Sequence, residues 1–283
     1  MGNVSFIKTP EEVRYFHNFL NKGILENQEG LILAWETRRE LLQRIVPEPL
    51  KVDGPYVLAY VSYIFGTNFW KDYSEAGLLI PVEYQAQNFT YILAMPIAGK
   101  NDMPIFLGRE GSGIPKKNAD EISVYRSGDY VKVGIERNGI RFFEAEAEIG
   151  EFNDPIAERI FAVYKEGNEA AGNCINFIGD LDARSDTGFS SVKLVAQTTT
   201  TTYKKTEKAR VTSLKLAPSS DDPWSELEVV QQLGAVYYRS DAVMGPVKAL
   251  AEQLDPAKYA PYLLAKYDSS VVGHEYRNFK ITK

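Results

Sequence analysis

The stretch Gly108-Arg109-Glu110-Gly111-Ser112-Gly113-Ile114-Pro115-Lys116-Lys117 organises the reading of this chain. Three glycines in six positions let the backbone turn sharply and approach other groups closely. Pro115 fixes its own φ and pushes Ile114 toward an extended shape, so the entry to the two lysines is stiff. Apolar segments flank the stretch, Ile105-Phe106-Leu107 before it and Ile122-Ser123-Val124 after it, and both read as strand-like.

A lysine pair usually marks a solvated turn, because lysine is rarely buried. The alternative is an amine held in an apolar pocket. An ordinary lysine titrates at about 10.4, so at pH 7 only roughly one in 2,500 is free amine. Desolvation and a neighbouring ammonium both disfavour the charged form. A neutral amine of this kind attacks a ketone and forms a Schiff base.

Two upstream stretches decide how the pair is read: Val46-Pro47-Glu48-Pro49-Leu50, then Tyr73-Ser74-Glu75-Ala76-Gly77 with Ile80-Pro81-Val82. With these in order ahead of Gly108–Lys117, residues 27–150 resemble the acetoacetate decarboxylase family. Leu216-Ala217-Pro218 through Pro223-Trp224 resembles the family's late segment. The lysine pair alone would not carry this resemblance; three ordered motifs do.

The resemblance implies a mainly β (α+β) fold, a cone-shaped antiparallel β-barrel with peripheral helices, as one domain over residues 1–283. It implies that Lys116 is the Schiff-base lysine and Lys117 its cationic neighbour. In that family a lysine activated by desolvation or by a nearby cation is the known nucleophile. A small-molecule oxo acid substrate, a homo-oligomer and no cofactor follow by the same resemblance. The protein then supplies its own electron sink.

Counting from the flanking motifs places the other polar groups that the resemblance implies. Glu75 takes the position of an acid or base; a carboxylate near an apolar pocket is able to hold a proton at neutral pH. The family's arginine falls on Gln28 and its first glutamate on Tyr60. Glutamine hydrogen-bonds a carboxylate without a charge-assisted fork. Tyrosine donates a hydrogen bond but is far less acidic than glutamate. Met95 and Ile114 read as pocket walls that exclude water from Lys116, and Arg109 with Glu110 as a structural pair. The expected activity is that of a carboxy-lyase: a β-keto acid such as acetoacetate loses its carboxylate through an iminium on Lys116. Gln28 and Tyr60 leave room for an aldolase-dehydratase acting on a larger oxo acid. A non-catalytic small-molecule-binding barrel is the third reading.

Composition narrows the field. The chain has 283 residues, 44% of them hydrophobic, with 17 Tyr, 14 Phe and 3 Trp, enough apolar surface to build a core. Its net charge of −6 argues against a nucleic-acid partner, which normally meets a basic face. No apolar run approaches the ~20 residues that span a bilayer. Met1-Gly2-Asn3-Val4-Ser5-Phe6 matches neither a signal peptide nor a myristoylation site. A cytoplasmic protein is expected. Cys174 is the single cysteine, so no disulfide forms within one chain, and the two histidines, His17 and His274, make no metal set.

Along the chain, Thr9-Pro10-Glu11-Glu12 reads as a capped helix start and Thr37-Arg38-Arg39-Glu40 as a second capping box. Leu31–Trp35, Val57–Phe65, Leu78–Tyr84 and Phe89–Ile97 read as strands. Asn101-Asp102 marks a turn. Tyr130–Ile149 alternates around Asn138-Gly139, the favoured hairpin turn, with Glu144, Glu146 and Glu148 on its solvated face. Asn153-Asp154-Pro155 opens a helix through Tyr164. Strands are expected over Asn173–Ile178, Val192–Tyr203, Ala209–Leu216 and Glu228–Arg239, and a closing helix over Pro256–Tyr267. The tail after Ser269 reads as loosely held.

Overall fold

A computed structural model describes residues 6–99 and 102–268. The expectations for the N-terminal five residues, Asn101, His274 and the tail after Ser269 lie outside the described residues. The elements run α1 (Pro10–Asn21), β1 (Gly23–Glu36), α2 (Arg39–Ile45), β2 (Lys51–Val52), β3 (Tyr56–Thr67), β4 (Tyr73–Tyr84), β5 (Gln87–Ala98) and α3 (Met103–Ser112). They continue as β6 (Lys116–Asn118), β7 (Glu121–Ser127), β8 (Tyr130–Arg137), β9 (Ile140–Ile149), α4 (Ala157–Ile160), β10 (Glu169–Leu181), β11 (Phe189–Leu216), β12 (Gln231–Leu254) and α5 (Pro256–Leu263).

The fold is mostly β. The strand order β10-β5-β4-β3-β1-β12-β11, with β10 also paired to β11, closes seven strands into a ring. β9, β8 and β7 extend the sheet beyond β11. The expected antiparallel closure fails at one seam: β10 meets β5 in parallel through Cys174↔Thr90 and Ile175↔Tyr91. No short turn joins these two strands. β5 leaves through α3 and the β7–β9 extension before the chain returns as β10, so direction is free to match.

β11 and β12 are the spine. β11 pairs with β10 along Phe189–Thr202 and with β9 along Ala209–Leu216, while β12 runs beside most of its length. The sequence divides β11 into two strands because its alternation breaks. The structure shows one bent strand, with register shifts at Gln197/Thr199 and Tyr203/Lys205. Such bulges kink a strand without ending it.

β1 explains its own apolar run. Leu31, Leu33 and Trp35 face the main core, whereas Ile32 and Ala34 face a second cluster with Val236 and Tyr238. A strand buried on both faces needs no polar alternation. Trp35 is fully buried, and its indole N–H donates to Leu227 O at 3.1 Å. Full burial of a large apolar side chain stabilises by roughly 1.5–3 kcal/mol, provided its polar atom finds a partner.

Several local signals hold. Thr9 Oγ1 accepts from Glu12 N at 3.2 Å and Glu12 Oε2 accepts from Thr9 N at 2.8 Å, a complete capping box. Asn138 and Gly139 have φ of 52° and 71°, the left-handed pair that a tight hairpin requires. Glu144 and Glu146 lie within 3.1 and 3.2 Å of Lys132.

Three expectations are corrected. Ile105-Phe106-Leu107 is helical, inside α3. Pro104 suits the first helical turn and Gly113, at φ 69°, closes the helix, so the punctuation outweighs the apolar triplet. The second capping box does not form. β1 continues to Glu36, Thr37 N donates to Pro55 O at 2.8 Å, and α2 starts after Arg38 with no side-chain cap. The helix opening near Asp154 is the single turn α4, because Phe161 leaves helical geometry.

Candidate active site

The site lies on the ring side of β6, in a cavity of about 340 Å³. Its floor is set by strand parity. Tyr73, Glu75, Gly77 and Leu79 occupy alternate positions of β4, so their side chains share one face. Register places Tyr60 of β3 opposite Gly77 and Ser62 opposite Glu75. A Cβ on Gly77 would sit 2.3 Å from Tyr60 Cε1, so the missing side chain makes room for the phenol ring.

Lys116 enters from the other side. The carbonyl of Gly108 accepts from Gly113 N and, at 3.0 Å, from Ile114 N, which closes α3 and turns the chain into β6. Met95 N then donates to Pro115 O at 3.0 Å, and Lys116 pairs with Met95 in parallel. The lysine side chain lies along α3: a Cβ on Gly108 would meet its Cε at 2.4 Å and its Cδ at 2.5 Å. A side chain at this position would push the lysine off its present path.

The two side chains meet. Lys116 Nζ donates to Glu75 Oε2 at 3.2 Å, and each residue is 7% exposed. Tyr60 Oη donates to Glu75 Oε1 at 2.7 Å and Tyr73 Oη to Oε2 at 3.4 Å. Both carboxylate oxygens are thus hydrogen-bonded. Burial first, and then the Glu75 carboxylate, hold the Tyr60 and Tyr73 hydroxyls far above the usual phenol range, so both remain donors.

Other predicted residues divide. Gln28, Met95 and Ile114 line this cavity with Lys116, Glu75 and Tyr60. Lys117 does not. On a strand adjacent side chains point to opposite faces, and Lys117 Nζ donates to Asp221 O at 2.8 Å in a separate cavity of about 460 Å³. The expectation that a second ammonium sits beside Lys116 is therefore not met by this geometry. Arg109 Nε is 3.0 Å from Glu110 Oε1, the structural pair expected for this segment, here on the flank of a helix.

Sequence reasoning missed the tyrosines. Tyr73, Tyr164, Tyr203 and Tyr238 line the cavity, with ring centroids of Tyr164 and Tyr203 5.0 Å apart. Burial pushes the Tyr203 hydroxyl up to about 12. Tyr73 was legible, since it stands two residues before Glu75 and shares its face. Cys174 also lines the cavity, and burial pushes its thiol up to about 11. Among the described residues, Lys116 is the one cationic side chain lining this cavity and Glu75 the one acid.

The site thus holds a buried lysine–carboxylate pair whose two carboxylate oxygens both accept hydrogen bonds. Comparison with known proteins gives the family. A sequence model of acetoacetate decarboxylase matches residues 8–254. The CLA biosynthesis isomerase of Lactiplantibacillus plantarum is 32% identical over 272 residues, covering 94% of this chain and 95% of that protein. An acetoacetate decarboxylase of Burkholderia mallei is 44% identical over 94 residues, 33% of this chain and 37% of that protein. The crystal structure of the Legionella pneumophila acetoacetate decarboxylase superposes with a TM-score of 0.70 at 21% identity, covering 82% of this chain and 88% of that one. The chain belongs to the acetoacetate decarboxylase family.

Proposed function

We propose that this protein forms an imine between Lys116 and the carbonyl of a small oxo compound and then relocates a proton, an isomerase reaction. The observation that carries this reading is the Lys116–Glu75 contact of 3.2 Å inside a cavity that, among the described residues, no second cation lines. The proton crosses from Nζ to Glu75, and the freed amine adds to the carbonyl carbon. Loss of water leaves an iminium, which draws electrons from the neighbouring carbon–hydrogen bond. Glu75, again a carboxylate, removes that proton and returns it to another carbon of the conjugated enamine. Tyr60 and Tyr73 steady the carboxylate while its charge changes.

A substrate carboxylate placed in this cavity would face Glu75. Two like charges 4 Å apart repel by about 4 kcal/mol at an effective dielectric of about 20. Lys116 keeps its single positive charge as the iminium, and among the described residues no second cation lines the cavity to offset a substrate carboxylate as well as Glu75. The relative named as an isomerase matches almost the whole chain, whereas the decarboxylase of Burkholderia mallei matches a third of it. Decarboxylation of a β-keto acid is the second reading. It is favoured by the family model and shares every step up to the iminium.

One experiment separates them. The protein is incubated in D2O with saturated, unsaturated and β-carboxylated oxo compounds, then quenched with borohydride. A reduced adduct on the Lys116 peptide, with deuterium entering the recovered compound and no carbon dioxide, is the expected result. Carbon dioxide from a β-keto acid would move the assignment to the lyase. Deuterium exchange that persists in Lys116→Ala would sink the imine reading.

A further inference from the structure

Lys116 is reached from two sides. Besides the tyrosine-lined cavity, a cleft of about 290 Å³ between α1 and α3 also ends at Lys116. The two spaces share Ile114, Lys116, Gln197 and Met244. At the other end of the cleft His17, Leu20, Asn21 and Gly111 are exposed to solvent. Gly108 and Gly111 both line it, three residues apart on one face of α3. Their roles differ. A Cβ on Gly108 collides with the lysine, whereas a Cβ on Gly111 meets nothing within 4 Å. The second glycine therefore leaves open space where a side chain would stand.

We propose that this cleft is a separate port by which water and other one- or two-atom reactants reach Lys116, while the oxo compound occupies the tyrosine-lined cavity. The proposal deepens the imine reading and rests on it for its last step, hydrolysis. Water arriving through the cleft bonds through oxygen to the iminium carbon and gives up one proton to Glu75. Nitrogen takes that proton. The carbon–nitrogen bond then breaks with its electron pair remaining on Nζ, the carbonyl re-forms, and the hydroxyl proton passes to the lysine–glutamate pair. Lys116 and Glu75 return to their starting state without the product having to clear the tyrosine side first.

The test needs no knowledge of the substrate. Formaldehyde with cyanoborohydride methylates accessible amines, and peptide mass mapping reports the rate at Lys116 against exposed Lys215 as the internal reference. Gly111→Phe and Gly111→Leu fill the cleft at a helical position where replacing glycine does not cost stability. Ala171→Trp obstructs the other cavity, which Ala171 lines from an exposed position. In the Ala171→Trp background, where the tyrosine-lined route is obstructed, Gly111→Phe is expected to slow methylation of Lys116 by about tenfold or more, a barrier rise of about 1.4 kcal/mol. Gly111→Ala and Ala171→Trp are expected to stay within about twofold of the parent, under 0.5 kcal/mol on the same scale. With a trapped oxo compound, Gly111→Phe should accumulate the borohydride-reducible imine. In the Ala171→Trp background, rates unchanged by either Gly111 filling, slowing by Ala171→Trp alone equal to that of the double variant, or a Lys116 left unmodified in the parent would each overturn the port. A parent that methylates through the cleft but traps no oxo compound keeps the port and loses the imine reading.

Discussion

Lys116 and Lys117 are neighbours in the chain and face two different interiors. On the Lys116 side, the amine meets a carboxylate that also accepts from two phenols in the smaller cavity. On the Lys117 side, the larger cavity holds cations already committed to structure. Lys117 donates to Asp221 O, Lys266 Nζ to Phe177 O at 2.7 Å, and nearby Arg137, 5% exposed, binds Asp222 at 2.7 Å together with Asp268. Cavity size is a poor guide to chemistry here. What separates the two sides is sharing: Asp268, 3.6 Å from Lys117, also binds Arg137, whereas among the cations of the described residues that line its cavity Glu75 meets Lys116 alone.

The largest effect should come from removing the amine. Lys116→Ala is expected to lower turnover of an oxo compound by about ten-thousandfold or more, above 5 kcal/mol of barrier. Lys117→Ala should leave turnover within about twofold and instead cost about 1 kcal/mol of stability through the lost hydrogen bond. Equal losses of activity in the two variants would erase the contrast. Glu75→Gln keeps the shape but cannot take a proton. Proton exchange should fall roughly 10²–10⁴-fold while borohydride still traps some adduct, read by mass mapping and by deuterium uptake. Tyr60→Phe removes one donor from a buried carboxylate. A hydrogen bond to a charged group contributes about 1.5–3 kcal/mol, so a loss of roughly 10–100-fold in kcat is expected.

The smallest effect lies on the structural side. Burial lowers the Lys266 ammonium to about 8. Between pH 8 and the ordinary lysine value the unfolded chain binds the proton that the folded chain has lost, so stability rises with pH. Below pH 8 the penalty is fully present. From pH 7 to pH 9 the gain is about 1 kcal/mol, and Lys266→Met should abolish it. The buried tyrosines act in the opposite direction at higher pH, and the difference between parent and variant melts cancels them. A parent whose melting temperature falls over this interval by as much as the variant's would contradict the assignment.

Much of this was legible beforehand. The Asn138-Gly139 hairpin and the Thr9 box are local signals that tertiary packing left alone. The family motifs located Lys116 and Glu75, and both line one cavity. Lys117 was misread for a physical reason: adjacent residues on a strand face opposite ways, and the short β6 was not foreseen as a strand. α3 was misread because its apolar triplet outshone Pro104 and Gly113. The tyrosine cluster comes from β3, β4, β11, β12 and the α4–β10 segment, so no single window of sequence holds it.

The vacancy at Gly77 limits how this pocket could be redesigned. Installing glutamate at position 60 would leave a ring-sized hollow against β4, large enough to admit solvent next to Glu75. Restoring dryness would then call for a bulkier residue at position 77, so the two positions have to be changed as a couple, and a scan that varies one at a time would score both as intolerant.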